Sequence, residues 1–222
     1  KDPSAWRMLC QTYLFHAQTQ VRRNEPEQQK YLIDQAYKIM LAKEPDAELK
    51  GDANNQLARY YRLIGDMGGF FKHAQLTEKY YTEAFGPIHP KVANACQYLS
   101  HYYDQRGDLN VMLAYLEKTQ TIFDQLYPEH YGRMGRNAGL ISNCYRRMRR
   151  YEEAHQYMDV SIEMLTNHLG TDKVGIMADM YRRKAQIYEA QDSLKKAVFY
   201  YEKSTRILDL FNRNSRDKSR NM

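Results

Sequence analysis

The sequence predicts an all-α fold, a superhelical solenoid of about five antiparallel helix hairpins, and three observations carry the prediction. A short motif recurs with a period of about 42 along the 222 residues. Each copy holds two segments with apolar residues at helical spacing, such as Met112, Tyr115, Leu116 and Ile122, or Ala154, Tyr157, Met158, Ser161 and Met164. Glycine (11) and proline (6) are scarce, which argues against a loop-rich all-β domain. A hydrophobic fraction of 43%, with 20 tyrosines, supplies enough apolar area for a core.

The repeat is read from small residues. Ala17, Ala58, Ser100, Ser142 and Ala185 stand 41, 42, 42 and 43 residues apart. The first unit, residues 1–46, is the weakest copy, with Ala17 at the small position and Ala36 in its second helix. The second, 47–88, reads Leu57-Ala58-x-x-Tyr61-x-x-x-Gly65-Asp66, and the third, 89–130, reads Leu99-Ser100-x-x-Tyr103-x-x-x-Gly107-Asp108. The fourth, 131–173, reads Ile141-Ser142-x-x-Tyr145 and then Arg150-Tyr151-Glu152-Glu153-Ala154, so that Arg149 stands at the turn glycine's place. The fifth, 174–211, has Ala185-x-x-Tyr188, a turn at Asp192-Ser193 and then Ala197-Val198-x-Tyr200-Tyr201. Residues 212–222 are basic and lack apolar periodicity, which predicts a disordered tail after a single solenoid domain over 1–211.

Small residues are needed where two helix backbones approach closely, and the tyrosine three positions on fills the gap beyond with ring area while its hydroxyl reaches a polar rim. Gly65, Gly107 and Asp192 sit where the first helix must stop, a job that glycine and aspartate do through left-handed backbone and side-chain capping.

This pattern resembles the tetratricopeptide repeat, in an extended form of about 42 residues similar to that of the kinesin light chains. The linker Ala84-Phe85-Gly86-Pro87-Ile88-His89-Pro90-Lys91-Val92-Ala93 carries the likeness most clearly. Tyr127-Pro128-Glu129-His130 and Leu169-Gly170-Thr171-Asp172-Lys173-Val174 are partial versions of it. The resemblance covers most of residues 47–211, with Met112 and Thr119 standing in second-helix positions where alanine is usual. It implies a right-handed superhelix whose groove accepts acidic linear motifs of protein partners.

Several classes of function are disfavoured. The longest apolar stretch, Val111 to Leu116, is far short of the ~20 residues a membrane helix needs, so no membrane insertion is expected. Three widely spaced cysteines, Cys10, Cys96 and Cys144, suit a reducing compartment, cytoplasmic or nuclear, better than a disulfide framework. The opening Lys1-Asp2-Pro3 reads as an internal cut from a longer polypeptide. No phosphate-binding loop, nucleophile elbow or metal-ligand spacing occurs, so neither catalysis, cofactor nor metal is expected. Gly65-Asp66-Met67-Gly68-Gly69 falls on a repeat turn, and His89 falls in the linker, where capping or turn packing is the expected role.

Function in such a solenoid resides most often on the concave face, lined by the first helix of each unit. Helical spacing from the small residue places Asn55, Arg59 and Arg62, then Gln97, His101 and Gln105, then Asn143, Arg146 and Arg147, then Arg182, Arg183 and Gln186 on that face. Amides satisfy the backbone of an extended ligand and arginines grip carboxylates, while acidic residues are nearly missing from the set. The expected function is therefore a non-catalytic protein-protein interaction scaffold that binds an extended, acidic peptide. Tyr60 and Tyr102, near the groove side, are candidates for further ligand contact. Other readings stay open: an accessory domain of a larger enzyme or transcription regulator, a receptor for a signalling peptide, or an RNA-binding surface. The last would use Arg146-Arg147-Met148-Arg149-Arg150 and the basic tail, on a chain whose net charge is +6.

Overall fold

The computed structural model describes residues 5–127, 131–168 and 174–220. They form ten helices, α1 (Ala5–Arg23), α2 (Pro26–Leu41), α3 (Ala47–Leu63), α4 (Met67–Phe85), α5 (Pro90–Arg106), α6 (Leu109–Leu126), α7 (Tyr131–Arg147), α8 (Tyr151–His168), α9 (Val174–Ala190) and α10 (Leu194–Arg220), with no strand among the described residues. The architecture is an all-α repeat of antiparallel hairpins. The chain divides into two compact units, Lys1–Ile122 and Phe123–Met222.

Each hairpin turn is the same device. Asn24, Gly65, Gly107, Arg149 and Asp192, each seven residues after its repeat's small residue, all adopt positive φ, between 58° and 78°. Each turn is then closed by the next residue's amide donating to a carbonyl five residues back: Glu25 to Gln20 (3.1 Å), Asp66 to Tyr61 (2.9 Å), Asp108 to Tyr103 (3.0 Å), Arg150 to Tyr145 (2.9 Å) and Ser193 to Tyr188 (2.8 Å). Asn24 completes the first unit's turn, and Arg149 adopts the left-handed conformation without the freedom of glycine.

The helix starts are capped by their sequence neighbours. Asp46 accepts from the Leu49 amide and Asp66 from the Gly69 amide, both at 2.9 Å, while Pro26 and Pro90 open α2 and α5, where no amide is missed. His89 does both jobs expected of it. Its Nδ1 accepts from the Lys91 amide at 3.2 Å, and its ring stacks on Phe85 at 4.1 Å. The two partial linker motifs fall largely on residues 128–130 and 169–173, outside the described residues.

The marker residues Ala17, Ala58, Ser100, Ser142 and Ala185 are all buried. Ser142 Oγ donates to the Ala154 carbonyl at 2.6 Å, which shows how closely α7 and α8 approach. A second small position lies seven residues earlier, at Cys10, Gly51, Ala93, Gly135 and Ala178, again buried throughout. It meets a small residue of the second helix. Cys10 Sγ lies 3.6 Å from the Ala36 carbonyl, Ser161 Oγ donates to the Gly135 carbonyl at 2.6 Å, and Ser204 Oγ donates to the Ala178 carbonyl at 2.7 Å. A Cβ on Gly51 would lie 2.5 Å from Tyr81 Cδ1, and one on Gly135 would lie 2.8 Å from Leu165 Cγ.

Between hairpins the core is apolar. In the unit Lys1–Ile122, Ala58, Phe70, Ala74 and Leu99 pack together beneath Tyr61, Phe71, Tyr102 and Tyr115. Tyr102 is stacked on Phe71 at 4.2 Å, so it serves the joint between hairpins instead of a ligand. In the unit Phe123–Met222, Met134, Ile141, Met158, Leu165 and Ile187 are buried.

The C-terminal segment differs from the sequence expectation. α10 continues to Arg220 where a disordered tail was expected from 212. The segment from Asn212 holds neither glycine nor proline and is rich in arginine and lysine, so nothing in it stops a helix already nucleated at Leu194.

Candidate functional site

In the unit Lys1–Ile122 the first helices α1, α3 and α5 turn equivalent register positions toward one cleft of about 340 Å³. Six residues before the small residue come Gln11, Asp52 and Asn94; three before come Leu14 and Asn55; two before come Phe15, Gln56 and Tyr98; one after come Gln18 and Arg59. The spacings of four and three between these positions place them on one helix face. Of the residues expected from sequence, Asn55 and Arg59 line the cleft. Arg62 is exposed at its edge, with its guanidinium 5.7 Å from the Tyr98 ring centre. Gln97 and His101 are half-buried and Gln105 is exposed, and none of the three is a wall of the cleft. His101 packs against Phe70 at 6.0 Å, and burial, then the Arg62 charge, hold its pKa below the usual histidine range.

The sequence reading missed the positions six and two before the small residue, where Gln11, Asp52, Asn94, Phe15, Gln56 and Tyr98 stand. Their signal was present, because the same helical face that carries Arg59 carries them one and two turns earlier.

Charge in this cleft is unevenly partnered. Lys91 Nζ donates to Glu48 Oε1 at 3.1 Å and to Asp52 Oδ1 at 2.9 Å, above the Tyr81 and Phe85 rings. Burial disfavours the ammonium, but the two carboxylates outweigh it and raise the Lys91 pKa. The Tyr81 hydroxyl also donates to Asp52, at 2.8 Å, and burial followed by that carboxylate pushes its pKa up. Arg59, by contrast, makes no hydrogen bond or ion pair among the described residues, and its Nε is fully buried without a partner. Beside it Gln56, 5% exposed, leaves Oε1 buried and unpartnered.

The unit Phe123–Met222 assembles its arginines differently. Arg146 donates Nε and Nη2 to Asn143 Oδ1 at 3.2 and 2.9 Å. Its pKa is lowered by burial and by the neighbouring Arg147 and Arg183 guanidiniums, so three of the expected residues come together here. Arg182 and Arg183 both grip Asp179, the latter at 2.7 Å. Burial pushes the Asp179 carboxyl up, but hydrogen bonds from Arg183 and Arg182 carry it below the usual carboxylate range. Gln186 is half-buried and Arg147 exposed.

Asp52 and Asp179, which hold the same register position in their repeats, lie outside the set of expected residues and bring a carboxylate close to it. In the arginine-rich turn, Arg150 is paired with Glu153 at 2.6 Å and lies 4.6 Å from the Tyr145 ring centre. The three cysteines are free and buried, and burial, then Glu78, pushes the Cys96 thiol up to about 12. Among the described residues no group of three His, Cys, Asp or Glu is placed to hold a metal ion, and no helix is long and apolar enough to cross a membrane.

A scan against protein-family models matches none, and no curated protein matches the sequence. Solved structures do match. BtubC (BKLC) from P. vanneervenii superposes with a TM-score of 0.83 at 18% identity, over 95% of this chain and 84% of that one. The nearly identical TPR-like repeats of a putative kinesin light chain from Podospora anserina give 0.77 at 15% identity, over 96% of this chain and 100% of that one. The apo form of RapI gives 0.78 at 15% identity, over 91% and 71%. Likenesses at such low identity speak for the fold alone, and the fold they share with this chain is the TPR-like helical repeat.

Proposed function

We propose that the chain is a non-catalytic interaction scaffold that captures an extended acidic peptide, with the α1–α3–α5 cleft as its main grip. The observation that carries this reading is Arg59, a half-buried cation without a partner among the described residues, set beside the unaccepted Gln56 Oε1. Arg59 Nε and Gln56 Oε1 are themselves closed to solvent, so a ligand carboxylate meets the rest of the half-buried guanidinium, whose charge no carboxylate of the described residues neutralises. Asn55, Asn94, Gln11 and Gln18 offer amides to the backbone of such a segment, and Phe15 and Tyr98 offer ring surface to its side chains. Gln97, His101 and Gln105, like Arg62, stand beyond the cleft walls, where they extend the contact along α5 and α3.

In the second unit Asn143, Arg146, Arg147, Arg182, Arg183 and Gln186 form a further basic surface. The guanidiniums of Arg146, Arg147 and Arg183 repel one another, and an anion relieves that repulsion. The TPR-like fold of the structural neighbours supports the scaffold reading. The same surface serves equally in an isolated adaptor and in the accessory domain of a larger enzyme or regulator. RNA binding through the arginine turn is disfavoured by the engagement of Arg150 with Glu153 and Tyr145.

The test is fluorescence anisotropy with a labelled peptide of alternating glutamate and glycine, beside a single-stranded RNA oligomer of similar charge. Arg59→Glu is expected to weaken the peptide by roughly ten- to a hundredfold with the helical circular dichroism unchanged. Tighter binding of RNA than of peptide, or an Arg59→Glu variant that binds like the parent, overturns the reading.

A further inference from the structure

We propose that one water molecule is held between α2 and α3 by Gln29, Gln56 and Arg59, and that through it Gln29 is a positioning residue for the Arg59 guanidinium in the cleft. The water site stands on its own geometry, and its use in binding rests on the peptide reading above. Twelve residues after the small residue, each second helix buries one side chain: Gln29, Phe70, Met112, Ala154 and Ala197 are all at most 3% exposed. Four of them are apolar and Gln29 is not. Phe70 shows what this position meets in the next repeat, because its ring lies 6.0 Å from those of both Tyr98 and His101, two before and one after Ser100. The corresponding residues one joint earlier are Gln56 and Arg59, two before and one after Ala58. Gln29 keeps that register, since its Nε2 donates to the Gln56 carbonyl at 3.4 Å. The aromatic joint between the second and third hairpins is thus a polar one between the first and second.

The polar joint carries a specific deficit. Gln29 Oε1 and Gln56 Oε1 are buried acceptors without a donor, and Arg59 Nε is a buried donor without an acceptor. Gln29 is wholly buried and Gln56 nearly so, and polar atoms left orphaned in such an interior are costly. Two acceptors and one donor are the complement of a single water, which donates twice and accepts once, and about three bonds are what a buried water ordinarily makes. A cation would meet the guanidinium and an anion would meet two carboxamide oxygens, so a neutral molecule fits where an ion does not. Gln29 and Gln56 are slimmer than the Phe70 and Tyr98 rings at the same places of the next joint, which frees space of the order of the ~30 Å³ that a water occupies. With Nε tied inward to the water, the plane of the guanidinium is fixed and its Nη groups are left for the cleft that Arg59 lines.

A high-resolution crystal structure of the unliganded protein is expected to show one ordered water within hydrogen-bond distance of all three atoms, and a joint without it overturns the proposal. Gln29→Met reads the same point in solution, with the side chain that Met112 places at this position of the third hairpin. If the water is bound, methionine removes one of its three partners and is expected to lower Tm by roughly 2–4 °C. If the joint is dry, methionine removes an orphaned acceptor, and a Tm that holds or rises overturns the proposal. Positioning is read from a double-mutant cycle on anisotropy with the glutamate–glycine peptide. Gln29→Met is expected to weaken the peptide roughly three- to tenfold in the parent and to change nothing in an Arg59→Lys background, where no Nε–H remains to be held. Equal losses in both backgrounds mean that Gln29 acts through stability alone and overturn its positioning role. A peptide that depends on Arg59 but ignores Gln29→Met also overturns that role and leaves the scaffold reading intact. If the parent binds no peptide, the scaffold reading and the positioning role fail together, and the crystal and the melts still decide the water site.

Discussion

Asp52 and Asp179 occupy the same place in their repeats, six residues before the small residue on a first helix, and yet they take different partners. Asp52 is claimed from outside its helix, by Lys91 of α5 and the hydroxyl of Tyr81 on α4. Asp179 turns to its own helix and takes Arg182 and Arg183 together. The positions three and four residues on, Arg182 and Arg183 beside Asp179, are Asn55 and Gln56 beside Asp52, and Arg59 stands a turn further along without a carboxylate, while the two arginines on α9 are already neutralised in part. The charge each face can offer a ligand is therefore set by where its arginines stand relative to the aspartate, within three or four residues on α9 and seven residues away on α3.

The largest effect is expected where packing holds Asp52 in place. Gly51 lets the Tyr81 ring lie against α3, and an added Cβ would meet that ring at 2.5 Å. The ring cannot easily yield, because its hydroxyl is anchored to Asp52. Gly51→Ala is expected to cost about 3 kcal/mol, read as a lower Tm, and to weaken glutamate-peptide binding as Asp52 loosens. The matching Gly135→Ala meets Cγ of the fully buried Leu165 at 2.8 Å and Met164 Cβ at 3.2 Å, a looser fit than the Tyr81 ring leaves at Gly51, and is expected to cost about 2 kcal/mol with no change in binding.

A smaller effect separates the two arginine sites themselves. Arg59→Glu reverses an unpaired charge, whereas Arg182→Glu reverses one that already shares Asp179 with Arg183. Anisotropy with the same peptide is expected to show a loss of at least roughly tenfold for Arg59→Glu and of about threefold or less for Arg182→Glu. Asp179→Asn makes the complementary change. It releases both guanidiniums and is expected to strengthen peptide binding by about threefold while lowering Tm slightly, since exposed ion pairs contribute ~0.2–1 kcal/mol. If Asp179→Asn weakens binding instead, the aspartate is orienting the arginines and not neutralising them.

The acid limb of the stability curve carries the same contrast. The Asp179 carboxyl is held below its ordinary range in the folded chain, so its contribution is complete above the unfolded carboxylate's titration and is lost as pH falls through the lower, folded value. Asp179→Asn is expected to remove that portion of the acid-limb slope in a pH series of thermal melts.

How much of this was legible in the sequence follows from what each feature depends on. The hairpin period and the buried marker residues are backbone facts repeated five times, and repetition made them visible at Ala58, Ser100, Ser142 and Ala185. The second small position, from Cys10 through Gly51, Ala93 and Gly135 to Ala178, repeats with the same spacings but changes residue type at almost every copy. A search for one residue type passes over it. The cleft shows the same limit. Asn55 and Arg59 were found by spacing, and Gln56, Asn94 and Tyr98 share that face but differ in chemistry from copy to copy. The pairing of Arg183 with Asp179, and of Lys91 with Asp52, depends on rotamers chosen among several partners within reach, and no spacing rule encodes that choice.

The turns close the comparison between the repeats with its smallest effect. Five positions need left-handed backbone, and glycine supplies it at Gly65 and Gly107, whereas Asn24, Asp192 and Arg149 do so with a side chain. Asparagine and aspartate tolerate that region through local hydrogen bonding, and arginine has no such relief. Arg149→Gly is therefore expected to raise the stability of the fourth hairpin by about 0.5–1 kcal/mol, less what glycine's freedom costs in the unfolded chain. Gly107→Arg, the reverse change in the third, is expected to lower it by about 1 kcal/mol. Thermal melts of the two variants decide the matter. Equal and opposite shifts mean that the turn alone sets the cost, while a loss of stability in Arg149→Gly means that the arginine side chain holds a contact that outweighs its backbone strain.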